Sequence, residues 1–252
     1  MAGAGHSGAK IALQLYTLRE LTSAGMAPVL QSVAGIGFTG VEVAGLTDLS
    51  AAETAHECGR LGLEVCAVHV GLDRFEAEPE AVVEELGVLG TKNAVFPWLP
   101  VPSSIGEIEA GCDRVAQATA RAASLGLRPH FHNHWGEFGR IASGERLWDC
   151  LTAIQGLGLE LDLGWAWSAG EQPEQLLRAS AGRCTLVHLK DLRRNGDEVF
   201  DTPLGDGEID WPSVVPVALE AGAEWLIVEQ DNPGEQPLAA VERSFAYLAE
   251  IL

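Results

Sequence analysis

The feature that most constrains the fold is a regular alternation of short apolar runs with longer amphipathic stretches along the chain. The short runs are rich in Val, Ile and Leu, as buried parallel strands are, and there are eight of them: residues 11–16, 40–45, 63–70, 93–98, 128–134, 159–164, 185–190 and 225–230. Helical patterns lie between them, and several end in a glycine that is placed to cap the helix: Gly37, Gly62, Gly90, Gly126 and Gly222.

Eight strand–helix repeats in 252 residues, without a Pro/Ser-rich linker, predict one α/β domain, a (β/α)8 TIM barrel over residues 10–252. A doubly wound open sheet has the same alternation and is the second interpretation. When such a sheet binds dinucleotides, it usually carries GxGxxG after its first strand, whereas LYTLRE follows here. The motif GAGHSG precedes every strand, and residues 1–9 are predicted to form a disordered tail.

Composition restricts the classes of partner. The chain has 36 Asp and Glu against 16 Lys and Arg, for a formal net charge of −20, and such an acidic field repels nucleic acid. No apolar run is long enough to span a membrane, and the first ten residues do not resemble a signal peptide. The five cysteines are scattered and lack a CxxC pair, which predicts mostly buried thiols rather than a disulfide framework or zinc ribbon. We therefore expect a soluble cytoplasmic protein.

Polar side chains gather at the ends of the predicted strands, where a TIM barrel has its active site. Lys190 is among them although the chain has only three lysines. These strand-end residues are Gln14, Glu42, His69, His132, His134, Asp162, His188, Lys190 and Glu229.

Asp162, His188 and Glu229 come from three successive strands, and their carboxylate and imidazole groups suit Mn²⁺, Mg²⁺, Co²⁺ or Zn²⁺. Each also has a simpler interpretation: Asp162 as a helix cap, His188 as a hydrogen-bonded core residue and Glu229 as the partner of an arginine. Their occurrence at equivalent strand ends favours a metal site, since unpaired buried charges are costly. Trp165 either packs the barrel rim or forms a stacking wall for a sugar ring.

The motifs also resemble a known family. The stretches LQLYTLRE, FTGVEVAG, FHNHWGEF, LDLGWAWSAG, VHLKDL, GDGEIDW and IVEQD are similar, in order and spacing, to the sugar phosphate isomerase/epimerase family. The resemblance covers about residues 10–250 and implies the xylose isomerase-like TIM barrel, which endonuclease IV also uses.

The resemblance implies a divalent cation held by Glu, Asp, His and Glu from strands five to eight. Asp162, His188 and Glu229 match the last three positions. Strand five departs from the pattern, because His132, Asn133 and His134 stand where many members have Glu and Asn. The fourth ligand is then either Glu137 or His132, and we favour Glu137 because a subset of the family shares HNHxxEF.

This departure leaves proton transfer to His132 or His134, with Lys190 stabilising a developing oxyanion. The leading functional hypothesis is a metal-dependent isomerase or epimerase that acts on a sugar or keto-polyol through an enediolate. The alternatives are a lyase or dehydratase of the inosose dehydratase or 3-keto-glycoside type, an endonuclease IV-like nuclease, and a non-catalytic sugar-binding barrel. Gln14, Glu42, His69 and Trp165 are predicted to bind substrate. Homodimers are common among such barrels, and the oligomeric state stays open.

Overall fold

The computed structural model describes residues 10–196 and 198–252. The tail predicted over residues 1–9 lies outside the described residues. Within the described part of the chain, no helix is long and apolar enough to cross a membrane.

The predicted barrel is confirmed. Eight parallel strands close on themselves, because β1 pairs with β2 on one side and with the last strand on the other. This closure excludes the doubly wound open sheet, which was the second interpretation of the sequence. The barrel strands are β1 (Lys10–Gln14), β2 (Gly40–Val43), β3 (Glu64–His69), β4 (Asn93–Phe96), β5 (Arg128–His132), β6 (Gly158–Asp162), β7 (Leu186–Leu189) and β10 (Trp225–Val228).

Helices cover the outside of the barrel and alternate with its strands. Gly62 and Gly90 follow α3 and α5 with φ of 73° and 81°, the left-handed conformation for which a helix-ending glycine is selected. The helices are α1 (Arg19–Ala24), α2 (Met26–Ile36), α3 (Ala51–Leu61), α4 (Leu72–Ala77), α5 (Pro79–Leu89), α6 (Ile105–Ser124), α7 (Leu147–Ala153), α8 (Leu163–Ser168), α9 (Pro173–Ala179), α10 (Trp211–Ala221) and α11 (Pro237–Ile251).

One hairpin interrupts the repeat and was not predicted. Strands β8 (Asp191–Asn195) and β9 (Glu198–Thr202) pair antiparallel directly after β7. Most of the residues of these two strands are polar and at least partly exposed, so the apolar run that marks each barrel strand is absent. The carboxylate of Asp191 closes the loop beyond the hairpin, because it accepts hydrogen bonds from the backbone N–H groups of Gly205 (2.8 Å) and Gly207 (3.0 Å).

Apolar packing explains why polar groups gather at one end of the barrel. The main core lies between strands and helices, while a separate, smaller set of buried apolar side chains includes Ala12, Leu186, Trp225 and Ile227. Side chains two residues apart on a strand share a face, so His188 points the same way as Leu186. The apolar set fills the lower interior, and the polar residues occupy the upper interior and the mouth.

The cysteines depart in part from the prediction. Cys58, Cys66 and Cys184 are buried free thiols, as expected. Cys112 on α6 and Cys150 on α7 instead pair as a disulfide, with their Cα atoms 6.4 Å apart. Scattered spacing gave no sign of this pair, because the contact depends on how the two helices pack.

Candidate active site

A cavity of about 580 Å³ opens at the C-terminal ends of the barrel strands. Aromatic side chains form much of its wall, and imidazole and carboxylate groups form its floor. The residues that line it are Tyr16, Ala44, Gly45, His69, Gly71, Arg74, Pro97, Trp98, His132, His134, Trp165, Glu229 and Asp231.

The three metal ligands predicted from the sequence come together at the floor of this cavity. The outer cluster, defined here as His132, Asp162, His188 and Glu229, is fully buried, and its four potential ligand atoms all lie within 4.8 Å of one another. Asp162 also caps α8, because its Oδ1 accepts a hydrogen bond of 2.7 Å from the backbone N–H of Trp165. Its Oδ2 is buried and has no hydrogen-bond partner among the described residues, although the ammonium of Lys190 lies 3.4 Å away. A buried carboxylate beside imidazole and a second carboxylate fits a divalent cation.

Lys190 lies against the same carboxylates. Its Nζ is 2.7 Å from Asp231, 3.2 Å from Glu229 and 3.4 Å from Asp162. Burial disfavours the ammonium, but the carboxylates outweigh burial and raise the pKa of Lys190 above its ordinary value. The ammonium also lies 4.5 Å from the ring centre of Trp165. Lys190 is therefore a permanent positive charge, suited to stabilise an oxyanion rather than to accept a proton.

A second group lies deeper in the barrel. The inner cluster, defined as His69, His132, Glu160 and His188, shares two histidines with the outer cluster, and its ligand atoms also lie within 4.8 Å of one another. Sequence reasoning missed Glu160. The signal was its position two residues before Asp162 on the same strand, which directs both carboxylates into the barrel.

The predicted substrate-binding residues divide into two groups. His69 and Trp165 line the cavity. Gln14 and Glu42 are fully buried beneath it, where the Gln14 amide Nε2 donates a hydrogen bond of 2.8 Å to Glu42 Oε2. Glu42 Oε2 also accepts a hydrogen bond of 2.6 Å from His188 Nε2. Glu42 therefore contacts the metal-site histidine rather than the cavity.

Glu137, favoured from the sequence as the fourth metal ligand, is in neither cluster. It lies in a short 3-10 helix (Gly136–Phe138), where its Oε2 accepts a hydrogen bond of 2.9 Å from the backbone N–H of His134. Burial raises the pKa of this carboxyl to about 7. The structure instead brings His132, the alternative ligand, into the outer cluster. His130 lies away from the cavity, with Nε2 3.1 Å from the Thr185 hydroxyl.

His134 lines the cavity beside Trp165, and its ring centre is 5.9 Å from the indole. Burial, followed by the charge of Lys190, lowers the pKa of its imidazole to about 4. Its Nδ1 is buried and has no hydrogen-bond partner among the residues that the structure describes. His134 is therefore a neutral imidazole at the wall of the cavity, where it can exchange a proton with a bound molecule.

The titration of His134 provides a direct check. Since the neutral form is favoured, the imidazole should gain its proton only as the pH falls through about 4, well below the ordinary histidine value of about 6.5. NMR titration of the metal-free protein, with His134→Asn used to assign the resonance, measures this pKa. A midpoint above 6 would contradict the described environment.

Comparison with known proteins identifies the family of this chain. The family model for the xylose isomerase-like TIM barrel matches residues 30–251. The chain belongs to this family. The chain is also 26% identical over 264 residues to an inosose dehydratase of Geobacillus kaustophilus, covering 88% of this chain and 84% of that protein.

Two further comparisons are more limited. A probable endonuclease 4 of Mycobacterium ulcerans is 35% identical over 96 residues, which are 36% of this chain and 37% of that protein. A crystal structure of a sugar phosphate isomerase/epimerase from Parabacteroides distasonis superposes with a TM-score of 0.83 at 20% identity, covering 96% of this chain and 98% of that one. The superposition establishes a shared fold.

Proposed function

We propose that this protein is a metal-dependent isomerase or epimerase that moves a proton next to the carbonyl of a sugar or keto-polyol. The observation that carries the proposal is the outer cluster at the floor of the cavity, with the neutral His134 beside it. A divalent cation, when bound, would polarise the carbonyl and acidify the neighbouring C–H group.

The chain's own residues supply the rest of the chemistry. Asp162, His188 and Glu229 would hold the cation, with His132 completing the outer cluster. The imidazole of His134, which lines the cavity, would accept the proton from carbon and return it to the neighbouring position of the enediolate. Lys190 would stabilise negative charge on the substrate oxygen, and Trp165 would pack against the sugar ring.

Charge at the mouth favours an uncharged substrate over a phosphate ester. Glu229 and Asp231 line the cavity, and Lys190 is already surrounded by carboxylates. The one arginine of the lining, Arg74, pairs through two hydrogen bonds of 3.1 Å and 2.6 Å with Glu85. The described lining of the cavity therefore has no unpaired cation that could bind a phosphate group, and its carboxylates would repel such a group.

A lyase or dehydratase is the second candidate. It is favoured by the relation to inosose dehydratase, which extends over 88% of the chain. The same proton removal would form the same enolate, which would then expel a β-leaving group instead of being reprotonated. His134, Lys190 and the metal ligands would keep their roles.

Exchange in D2O distinguishes these two reactions. Metal-loaded protein incubated with D-fructose, L-ribulose or an inosose should incorporate deuterium at the carbon next to the carbonyl, without loss of water, as NMR and mass spectrometry would show. Loss of water from the inosose would favour the dehydratase. His134→Asn should abolish exchange while metal content stays the same, because His134 is outside both clusters. Unchanged deuterium exchange in this variant would show that His134 is not the base.

The remaining hypotheses are weaker. The endonuclease relation covers 36% of the chain, and the acidic mouth disfavours binding of a polyanion. A non-catalytic sugar-binding barrel would give no exchange in the D2O experiment. Cytoplasmic location and pairing into a homodimer stay predictions.

A further inference from the structure

Glu137 is a buried carboxyl that belongs to neither of the two clusters. Burial raises the pKa of this carboxyl to about 7, and only hydrogen bonds from backbone N–H groups oppose the rise. Among the described residues, no charged side chain contributes to the shift. Because a carboxylate buried without a cation costs free energy, a glutamate at this place needs a reason beyond the closing of a turn.

The chain makes the same hydrogen bond at an exposed position, which shows its ordinary use. At the start of α3, Glu53 Oε2 accepts a hydrogen bond of 2.9 Å from the backbone N–H of Ser50, three residues earlier. Glu53 is exposed, and hydrogen bonds from Ser50 lower the pKa of its carboxyl. Glu137 makes the corresponding bond to His134, also three residues earlier and also of 2.9 Å, in a place where burial makes it costly.

We propose that Glu137 is a positioning residue, which holds the backbone N–H of His134 and so fixes the imidazole at the wall of the cavity. Glu137 is not among the residues that line the cavity, so it acts through His134 and does not touch the substrate. The effect on catalysis rests on the proposed function, in which His134 transfers the proton. The placement of the ring can be measured without any turnover.

The chain is fixed immediately before His134. Asn133 is completely buried, and its side-chain amide makes two hydrogen bonds with the backbone of Asp162. Its Nδ2 donates to the carbonyl oxygen at 3.0 Å, and its Oδ1 accepts from the N–H group at 3.1 Å. The last paired residues of β5 and β6 are His132 and Glu160, so Asn133 continues the attachment to β6 by one residue.

The chain is fixed again directly after the turn. A Cβ atom added at Gly136 would lie 2.5 Å from Val101 Cγ2, so the turn lies close against that side chain. The ring of Phe138 packs on Trp148 of α7, with the ring centres 4.8 Å apart. His134 therefore belongs to a short segment that is held at both ends, and the bond to Glu137 holds its middle.

The imidazole of His134 is itself held by packing. Its Nδ1 has no hydrogen-bond partner among the described residues. Its ring centre lies 4.9 Å from that of His132 and 5.9 Å from that of Trp165. The distance between the imidazole and a substrate carbon would therefore depend on where the backbone of His134 lies. A misplacement of about 1 Å can lower a rate by about 10²-fold.

Two variants test the bond. Glu137→Gln keeps an oxygen that can accept the hydrogen bond, whereas Glu137→Ala removes it. On a substrate that turns over, Glu137→Ala should lower kcat by about 10²-fold without changing KM or metal content, because no metal ligand and no residue of the cavity lining is altered. Glu137→Gln should restore most of kcat. Glu53→Ala, the matched control, loses the same bond at α3 and should keep the wild-type kcat.

NMR measures the placement independently of activity. Nuclear Overhauser effects between the ring protons of His134 and Trp165 should be present in the wild type and in Glu137→Gln, and lost in Glu137→Ala. If Glu137→Ala does not fold by circular dichroism, Glu137→Leu takes its place with the same outcomes, since leucine has no acceptor atom.

The proposal is overturned if the variant without the acceptor keeps the contact between the two rings, whether or not a substrate turns over. It is equally overturned if the contact is lost while kcat stays at the wild-type value. Loss of the contact, in a protein whose wild type exchanges no α-hydrogen in D2O, supports the placement by Glu137 and refutes only the proposed function.

Discussion

Asp162→Asn should lower kcat/KM by about 10³-fold or more, the effect of losing roughly 4 kcal/mol of transition-state stabilisation. Asparagine keeps the side-chain oxygen that caps α8, so the helix start is preserved, whereas the charge needed by the outer cation is lost. The melting temperature of the wild-type protein should rise with added MnCl2, because a ligand that binds only the folded state stabilises it. For Asp162→Asn that rise should shrink strongly.

The matched control is Asp113→Asn, which alters an exposed aspartate on the outer face of α6. It should behave as the wild type in both steady-state kinetics and melting. Wild-type kcat/KM in Asp162→Asn, on whichever substrate shows turnover, would rule out a catalytic role for the outer cluster.

Lys190→Met should destabilise the metal-free protein by about 3–5 kcal/mol, the range found when one partner of a buried ion pair is removed. The ammonium compensates Asp162, Glu229 and Asp231, and methionine fills a similar volume without charge. A divalent cation would restore part of the lost positive charge. Excess MnCl2 should therefore stabilise the variant more than the wild type, as urea unfolding midpoints measured with and without metal would show.

Lys92→Met is the control for this experiment, because Lys92 is exposed and its removal leaves no buried carboxylate. Its free energy of unfolding should stay within about 0.5 kcal/mol of the wild-type value. Equal metal-free midpoints for Lys190→Met and the wild type would mean that Lys190 does not compensate the three carboxylates.

The barrel could be predicted because its signal is repeated. Each strand carries the apolar character of a buried parallel strand, and the glycines that end helices mark the boundaries. The β8–β9 hairpin could not be predicted in this way, since its mostly polar strands lack the apolar character of a buried parallel strand. The pairing of Cys112 with Cys150 was equally inaccessible, because it depends on the contact between α6 and α7.

The candidate site was partly accessible from the sequence. Asp162, His188 and Glu229 are brought together as expected, because parallel strands end at one face of a barrel. Glu160 was not predicted although it alternates with Asp162, because it lies one layer below the strand ends at which a barrel places its active site. The position of Glu137 depends on a turn after β5, and a turn's direction is not encoded in strand periodicity.

Asp191 makes the β8–β9 hairpin a segment whose two ends are fixed to one side chain. Its carboxylate holds both ends of the hairpin segment, beginning next to Lys190 and returning at Gly205 and Gly207. A side chain at Gly207 would collide with that carboxylate, so the return path is sterically defined. Changes in hairpin length or sequence are thus confined to the excursion between these anchors. The hairpin can therefore change without displacing Lys190, which lies directly before it in the chain.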